Sequence, residues 1–308
     1  MRSPSLIVLI LALYSIASAH KAHKTHAERH SSSKPLPIVI WHGMGDSCCN
    51  PLSMGAIQKH LEEKIPGVHV HSLRLGDSFV SDTKKSFFAN MNQLVALACN
   101  HINADPELSN GYNAIGFSQG GLFLRALAQR CAKPQMNNLI SIGGPQMGIF
   151  GLPYCIGDNF ICNSVRWLLE QGAYESPVQK RVVQAQYWHD SNAEEEYRKK
   201  SIFLADINSE NSINEKYKEN FTRLKNLVLV KFESDHMVVP KESEWFGYYA
   251  PNDVSTIFSF NETRLYKEDR IGLKTLHDSD RLHFISWPGE HLRINLDEFD
   301  EDLMQFFA

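Results

Sequence analysis

No stretch of this sequence stays apolar for the roughly 20 residues that a membrane-spanning helix needs. The unbroken apolar run Leu6 to Leu13 is too short, and no other segment approaches even that length. A basic excess is missing as well. Lys and Arg total 31 against 35 Asp and Glu, giving a formal charge of −4, and a nucleic-acid-binding surface is not expected from that balance. Cysteine is sparse, at six in 308 residues, and no Cys/His quartet has zinc-ligand spacing. No metal or cofactor is therefore expected. The chain also lacks the composition of a disordered protein: 43% of residues are hydrophobic and 21% charged, enough apolar surface to bury a core.

The N-terminus reads as an export signal. Arg2 supplies the positive start, Leu6 to Leu13 the apolar segment and Ala17-Ser18-Ala19 the small residues of a cleavage site before His20. Residues 20–34, with His20, His23, His26 and His30 among Lys, Ala and Ser, read as a solvated linker. The domain is expected over 35–308. The end of the chain, Gln305-Phe306-Phe307-Ala308, is not an ER-retention signal. A soluble protein of the secretory route is expected, where disulfides persist. Six cysteines permit many pairings. Cys155 and Cys162 flank a short turn and can close a loop; Cys99 and Cys131 end helical patterns and can tie them together. Adjacent Cys48 and Cys49 are left either to bond to each other or to remain thiols.

Strand and helix patterns alternate along the chain. Pro37 to Trp41 is a β-branched apolar run ending in His42-Gly43-Met44-Gly45-Asp46. Ser53–Lys64 reads as helix, Val68–Leu75 as strand and Asn90–Ile102 as helix. This alternation predicts a mostly parallel central sheet with helices on both faces, and the motifs along it resemble those of the α/β-hydrolase fold. Next, Gly111 to Ile115 reads as a strand entering Gly116-Phe117-Ser118-Gln119-Gly120-Gly121, and a helical run, Leu122 to Arg130, follows. This is G-x-S-x-G in a strand–turn–helix context. A serine hydroxyl projecting from such a turn is a candidate nucleophile, with the Gln119 amide at the helix N-terminus facing a developing oxyanion. The H-G-x-G loop after the first strand resembles the segment that supplies a second amide.

A serine needs a base, and the base needs an orienting carboxylate. In this fold class they follow in the order Ser, acid, His, on loops after strands. Asn226–Phe232 is a strong strand and Asp235 lies just beyond it; Glu233 and Asp206 are competitors. Leu282–Trp287 reads as the last strand, and His291 lies in the loop after it. His283 lies within that strand and His277 before it. His236 and His189 precede it too, and His42 belongs to the first loop, where a structural hydrogen bond is expected.

With these pieces in place, the chain resembles the palmitoyl-protein thioesterases over nearly all of residues 37–308. The resemblance is carried by Trp41 to Pro51, Gly111 to Gly121, Phe150-Gly151-Leu152-Pro153, Tyr187-Trp188-His189-Asp190, Ser201 to Asn208 and Ser243-Glu244-Trp245-Phe246-Gly247. It implies a triad of Ser118, Asp235 and His291, oxyanion donors at the backbone amides of Met44 and Gln119, and disulfides Cys48–Cys49, Cys99–Cys131 and Cys155–Cys162. It also implies a lysosomal enzyme that removes palmitoyl groups from cysteines of proteins or peptides. The long segment of about 143–223, rich in helical patterning, is then a cap that shapes an apolar groove for the fatty acyl chain, with Met147, Ile149, Phe150 and Leu152 as lining or core. Family sequons at positions matching Lys199, Asn214 and Ser234 are not intact here; N-x-T occurs instead at Asn220 and Asn261. The residues alone do not separate a thioesterase from a secreted lipase or carboxylesterase acting on oxygen esters, since both use the same triad.

Overall fold

The structure is a computed structural model that describes residues 34–151, 163, 166 and 172–307. The expected signal segment, the linker up to Ser33, the Cys155–Cys162 pair, Leu152 and most of the helical pattern at Val165–Gln171 lie outside the described residues. The rest begins with β1 (Ile38–Trp41), α1 (Met54–Lys64), β2 (Val70–Ser72), α2 (Phe79–Lys85) and α3 (Met91–Ala104). Then come β3 (Tyr112–Phe117), α4 (Gln119–Arg130) and β4 (Met136–Ile142). Between β4 and β5 (Asn226–Phe232) lies a long insertion with short helices α5 (Ser176–Gln179), α6 (Val183–Gln186), α7 (Glu194–Lys200), α8 (Leu204–Ile207) and α9 (Glu215–Thr222). The chain continues through β6 (Tyr248–Ala250), β7 (Asp253–Phe258), α10 (Arg264–Lys267), α11 (Leu273–Asp278), β8 (Leu282–Trp287) and α12 (Leu296–Leu303).

The main sheet runs β2-β1-β3-β4-β5-β8 and every pairing in it is parallel. Both of its faces are covered, which is why β1 reads as a continuous apolar run and why β3 and β4 are buried throughout, Asn113, Asn137, Asn138 and Ser141 included. Val39 and Trp41 face a cluster with α3 and α4. Ile38 and Ile40 face the opposite cluster, with Met54, Ile57 and Leu61 of α1 and Phe299 and Leu303 of α12. Helix α4 is buried from Gln119 to Gln129, because the sheet lies on one side of it and the insertion on the other. Its buried Arg125 donates to the Gln146 carbonyl at 2.8 Å and to the Ile207 carbonyl at 3.3 Å, pinning the insertion to the helix near its start and again at the end of α8.

The sequence pattern differs from the structure at three places. The strand expected over Val68–Leu75 contracts to Val70–Ser72, an edge strand paired on one side only. The helix after Ser118 starts at Gln119 rather than Leu122, since Gly120 and Gly121 are tolerated where close packing to the sheet leaves no space for side chains. The antiparallel hairpin β6–β7 was not foreseen; its turn puts Asn252 at φ 60°, a conformation asparagine accepts more readily than most residues. Of the disulfides, Cys48–Cys49 and Cys99–Cys131 are formed, Cys99 lying inside α3 rather than at its end. Among the described residues, no helix is long and apolar enough to cross a membrane.

Candidate active site

Parallel strands deliver all their carboxyl ends to one edge of the sheet, and the order of strands reverses between β1 and β3, leaving a crevice there. The loops after β1, β3, β5 and β8 carry Met44, Ser118, Asp235 and His291. Ser118 occupies the turn between β3 and α4 with φ 54° and ψ −127°, a backbone conformation that a side-chain-bearing residue adopts only when its surroundings force it. The surroundings are the glycines. A Cβ on Gly116 would stand 2.4 Å from the Gly120 backbone, and one on Gly120 would stand 2.5 Å from the Trp41 carbonyl oxygen. The turn is therefore as tight as main chain allows, and the Ser118 hydroxyl is pushed out of it.

The pairing of β5 with β8 does the rest. It places Phe232 opposite Trp287, and the two chains stay zipped beyond the strands, with the Glu233 amide donating to the Trp287 carbonyl at 2.9 Å and the Ser234 amide to Gly289 at 3.0 Å. Asp235 and His291, 56 residues apart in sequence, meet as a result, and His291 Nδ1 donates to Asp235 Oδ2. That leaves Nε2 free to accept, and the Ser118 hydroxyl is 2.8 Å from it. Gly143, at φ +66°, gives the imidazole its room; a Cβ there would lie 3.2 Å from His291 Cε1.

Asp235 is buried, and burial pushes its carboxyl up. The hydrogen bond and charge of His291, with the neighbouring Glu244 carboxyl and the Val238 amide, more than offset that and hold it below the ordinary carboxylate range. Its Oδ1 takes the amides of Met237 and Val238 at 2.7 and 2.9 Å. It is thus a fixed anion, and it holds the imidazole in the tautomer that can accept a proton from a hydroxyl. The competitors lie elsewhere. Asp206 pairs with Arg130 at 2.7 Å on the surface, and Glu233 is exposed and accepts from Ser286. His283 bonds Asn226, His277 bonds the Tyr266 hydroxyl, His189 bonds Glu194, and His236 faces Glu290.

Gln119 directly follows Ser118, and Met44 directly follows Gly43. Gly43 is so near that a Cβ on it would stand 3.1 Å from Ser118 Cβ. Neither the Met44 amide nor the Gln119 amide, the first of α4, has an acceptor among the described residues. A developing oxyanion requires N–H groups that are not already paired, and these two amides meet that condition.

Several supporting residues carry no sequence signal. Asp82 on α2 is buried and takes the amides of Leu75, Gly76 and Cys48 at 2.8, 2.9 and 3.0 Å. The Nε2 atom of His42 lies 3.2 Å from its Oδ2, while His42 Nδ1 donates to the Gly43 carbonyl. Burial raises the Asp82 carboxyl, but His42 and the amides win and keep it below its ordinary value. Ser86 accepts from the Gly45 amide at 2.8 Å, and its carbonyl receives the side-chain amides of Gln119 and Gln184, each at 3.1 Å. These contacts bolt the loop after β1 to α2 and the insertion. The sequons also separate. Asn220 is buried with its amide nitrogen donating to the Gln129 carbonyl, whereas Asn261 is exposed.

Two groups among the described residues have metal-ligand proximity: His69, His71 and Asp105, and Asp235, Glu244 and His291. In the second group both nitrogens of His291 are already engaged. A cavity of about 240 Å³ lined by Met147, His189, Glu194, Glu210 and Tyr248 lies in the insertion region, and none of Ser118, Asp235 and His291 borders it.

The family model for palmitoyl protein thioesterase matches residues 37–291, a span that contains the whole of this constellation. Palmitoyl-protein thioesterase 1 of Caenorhabditis elegans is 63% identical over 270 residues, covering 88% of this chain and 91% of that protein. Palmitoyl-protein thioesterase 3 of Dictyostelium discoideum is 37% identical, covering 83% of this chain and 84% of its own. The human protein named lysosomal thioesterase PPT2 is 30% identical, covering 78% and 76%. By the extent of that match and the level of identity, the chain belongs to the palmitoyl protein thioesterase family.

Proposed function

We propose that this enzyme hydrolyses S-palmitoyl-cysteine in proteins or peptides, with Ser118 as nucleophile, His291 as base and Asp235 as its orienting anion. The observation that carries the proposal is the continuous hydrogen-bonded chain from the Ser118 hydroxyl through His291 to Asp235. His291 takes the hydroxyl proton as Ser118 Oγ attacks the thioester carbon. The resulting oxyanion receives the amides of Met44 and Gln119. When the intermediate collapses, the C–S bond breaks, and His291 returns its proton to the departing thiolate, leaving acyl-Ser118. Water, deprotonated by the same imidazole, then releases the fatty acid and restores the hydroxyl. A thiolate leaves readily, since cysteine has a pKa of about 8.5.

The acyl chain needs a dry surface, worth about 0.8 kcal/mol per buried CH₂. We place it along the insertion of about 143–223, acting as a cap. Phe87, Val182 and Ala185 form an apolar cluster against which Met44 and Trp188 pack, at the oxyanion side of the site. Met147 and Ile149 are buried in the main core instead. Export through residues 1–19, a linker over 20–34, a hydrolase domain over 35–308 and residence in the lysosome complete the reading, the last supported by the lysosomal name of the human relative.

The test compares initial rates on S-palmitoyl and O-palmitoyl versions of one peptide, for the wild type and Ser118→Ala. Preference for the thioester, lost in Ser118→Ala, is expected. Preference for the oxygen ester would make the protein a lipase-like esterase, and full activity in Ser118→Ala would remove the nucleophile.

A further inference from the structure

The active site holds a second buried carboxyl. Glu244, on the turn Lys241–Trp245 that follows the Asp235 loop, is completely buried. One of its carboxyl oxygens lies within 4.8 Å of a carboxyl oxygen of Asp235 and of a ring nitrogen of His291. Two carboxylates this near in a buried site cannot both be ionised. The hydrogen-bond donors decide which one is. Asp235 receives three: the amides of Met237 and Val238 and the imidazole of His291. Glu244 receives one, from the Phe232 amide at 3.0 Å on Oε2, and its Oε1 has no partner among the described residues.

We propose that Glu244 is a positioning residue that stands as a neutral carboxylic acid and donates its proton in a hydrogen bond to Asp235. Burial first, and then the Asp235 charge, push the Glu244 carboxyl well above its ordinary range, in the direction the geometry requires. The other titratable groups facing it are Asp235 and His291 from their two loops and Lys231 of β5. Two things follow. The fourth donor spreads the negative charge of Asp235, so the Asp235–His291 couple binds a proton less tightly and stays competent as a base at lower pH. The same carboxyl ties the end of β5 to the acid loop through Phe232, fixing where Asp235 stands. Glu244 meets no substrate; it acts through Asp235. The inference rests on the catalytic reading above.

The experiment measures kcat and KM on an S-palmitoyl peptide across the acidic-to-neutral range for Glu244→Gln and Glu244→Leu in the full chain. Gln is a neutral isostere that can accept from Phe232 and donate to Asp235. It is expected to keep kcat within about threefold and to leave the acid limb of kcat/KM in place. Leu removes the donor. A fall in kcat of about 10- to 100-fold, little change in KM and a rise of the acid limb by about one pH unit are expected. If Glu244→Leu does not fold, Glu244→Gln decides alone. An acid limb moved to lower pH in that variant means Glu244 was ionised and overturns the inference. A kcat as low for Gln as for Leu, or an unmoved acid limb in a folded Leu variant, also overturns it. Failure of the catalytic reading would show separately, as activity surviving in Asp235→Asn and His291→Ala.

Discussion

Asp82 offers a quantitative test of what holds the loop after β1 in place. Truncation to Ala removes the acceptor of three buried amides, those of Cys48, Leu75 and Gly76. Each buried donor left without a partner costs about 1–3 kcal/mol. The lower half of that range, suited to a loop that can admit water once loosened, gives a loss of about 3–6 kcal/mol, a large part of the roughly 5–15 kcal/mol that stabilises a typical domain. Asp82→Asn is milder. Its oxygen can still serve Leu75 and Gly76, but its NH₂ would confront the Cys48 amide, so about 1–3 kcal/mol is expected. Urea unfolding followed by tryptophan fluorescence reads both values. The pH dependence has a definite sign. Because the folded-state pKa of Asp82 lies below its ordinary value of 3.8, its contribution is fully present above that value and is lost as pH falls through the lower, folded one. The difference between wild type and Asp82→Asn therefore persists at mildly acidic pH and shrinks only in strong acid. A loss under about 1 kcal/mol for Asp82→Ala would refute the reasoning, since it would mean that the amides find other acceptors.

Asp235→Asn should keep the fold and lower kcat by about ten-thousandfold, because an amide no longer holds the productive imidazole tautomer; a kcat assay with a thermal melt as control checks it. Gly116→Ala should destabilise by about 3 kcal/mol or more, or prevent folding, because the added methyl meets backbone at 2.4 Å that cannot rotate aside; the urea midpoint reads this. Expressed through a secretory route, Asn261→Gln should lose a glycan shift on a denaturing gel, and Asn220→Gln should show no change, since the Asn220 amide is buried on Gln129.

Much of the site was legible from local pattern. G-x-S-x-G between an apolar run and a helix announces a strained turn, since the steric need for glycine at Gly116 and Gly120 is set by main chain within a few residues. Choosing His291 over His283 needed only the rule that parallel strands send their carboxyl ends to one edge, so a loop after a strand is the right place and a position within one is not; Asp206, which also follows an apolar run, is set apart from Asp235 only by the fold, which pairs it with Arg130. The edge strand β2 and the hairpin β6–β7 were harder, because a short strand is defined by its neighbour rather than by its own residues.

The chain by itself therefore determined the strand–helix alternation that builds the main sheet, the tight turn at Ser118 and the placing of Asp235 and His291 on loops after strands, all of which depend on contacts between near neighbours or on strand direction. Only the tertiary structure brought Glu244 within 4.8 Å of Asp235 and His291, had Asp82 and Ser86 anchor the loop after β1, and buried one sequon. Those properties come from groups brought together over tens of residues, where the count of donors around an oxygen and the exclusion of water fix the chemistry, and neither quantity is written in any local stretch of sequence.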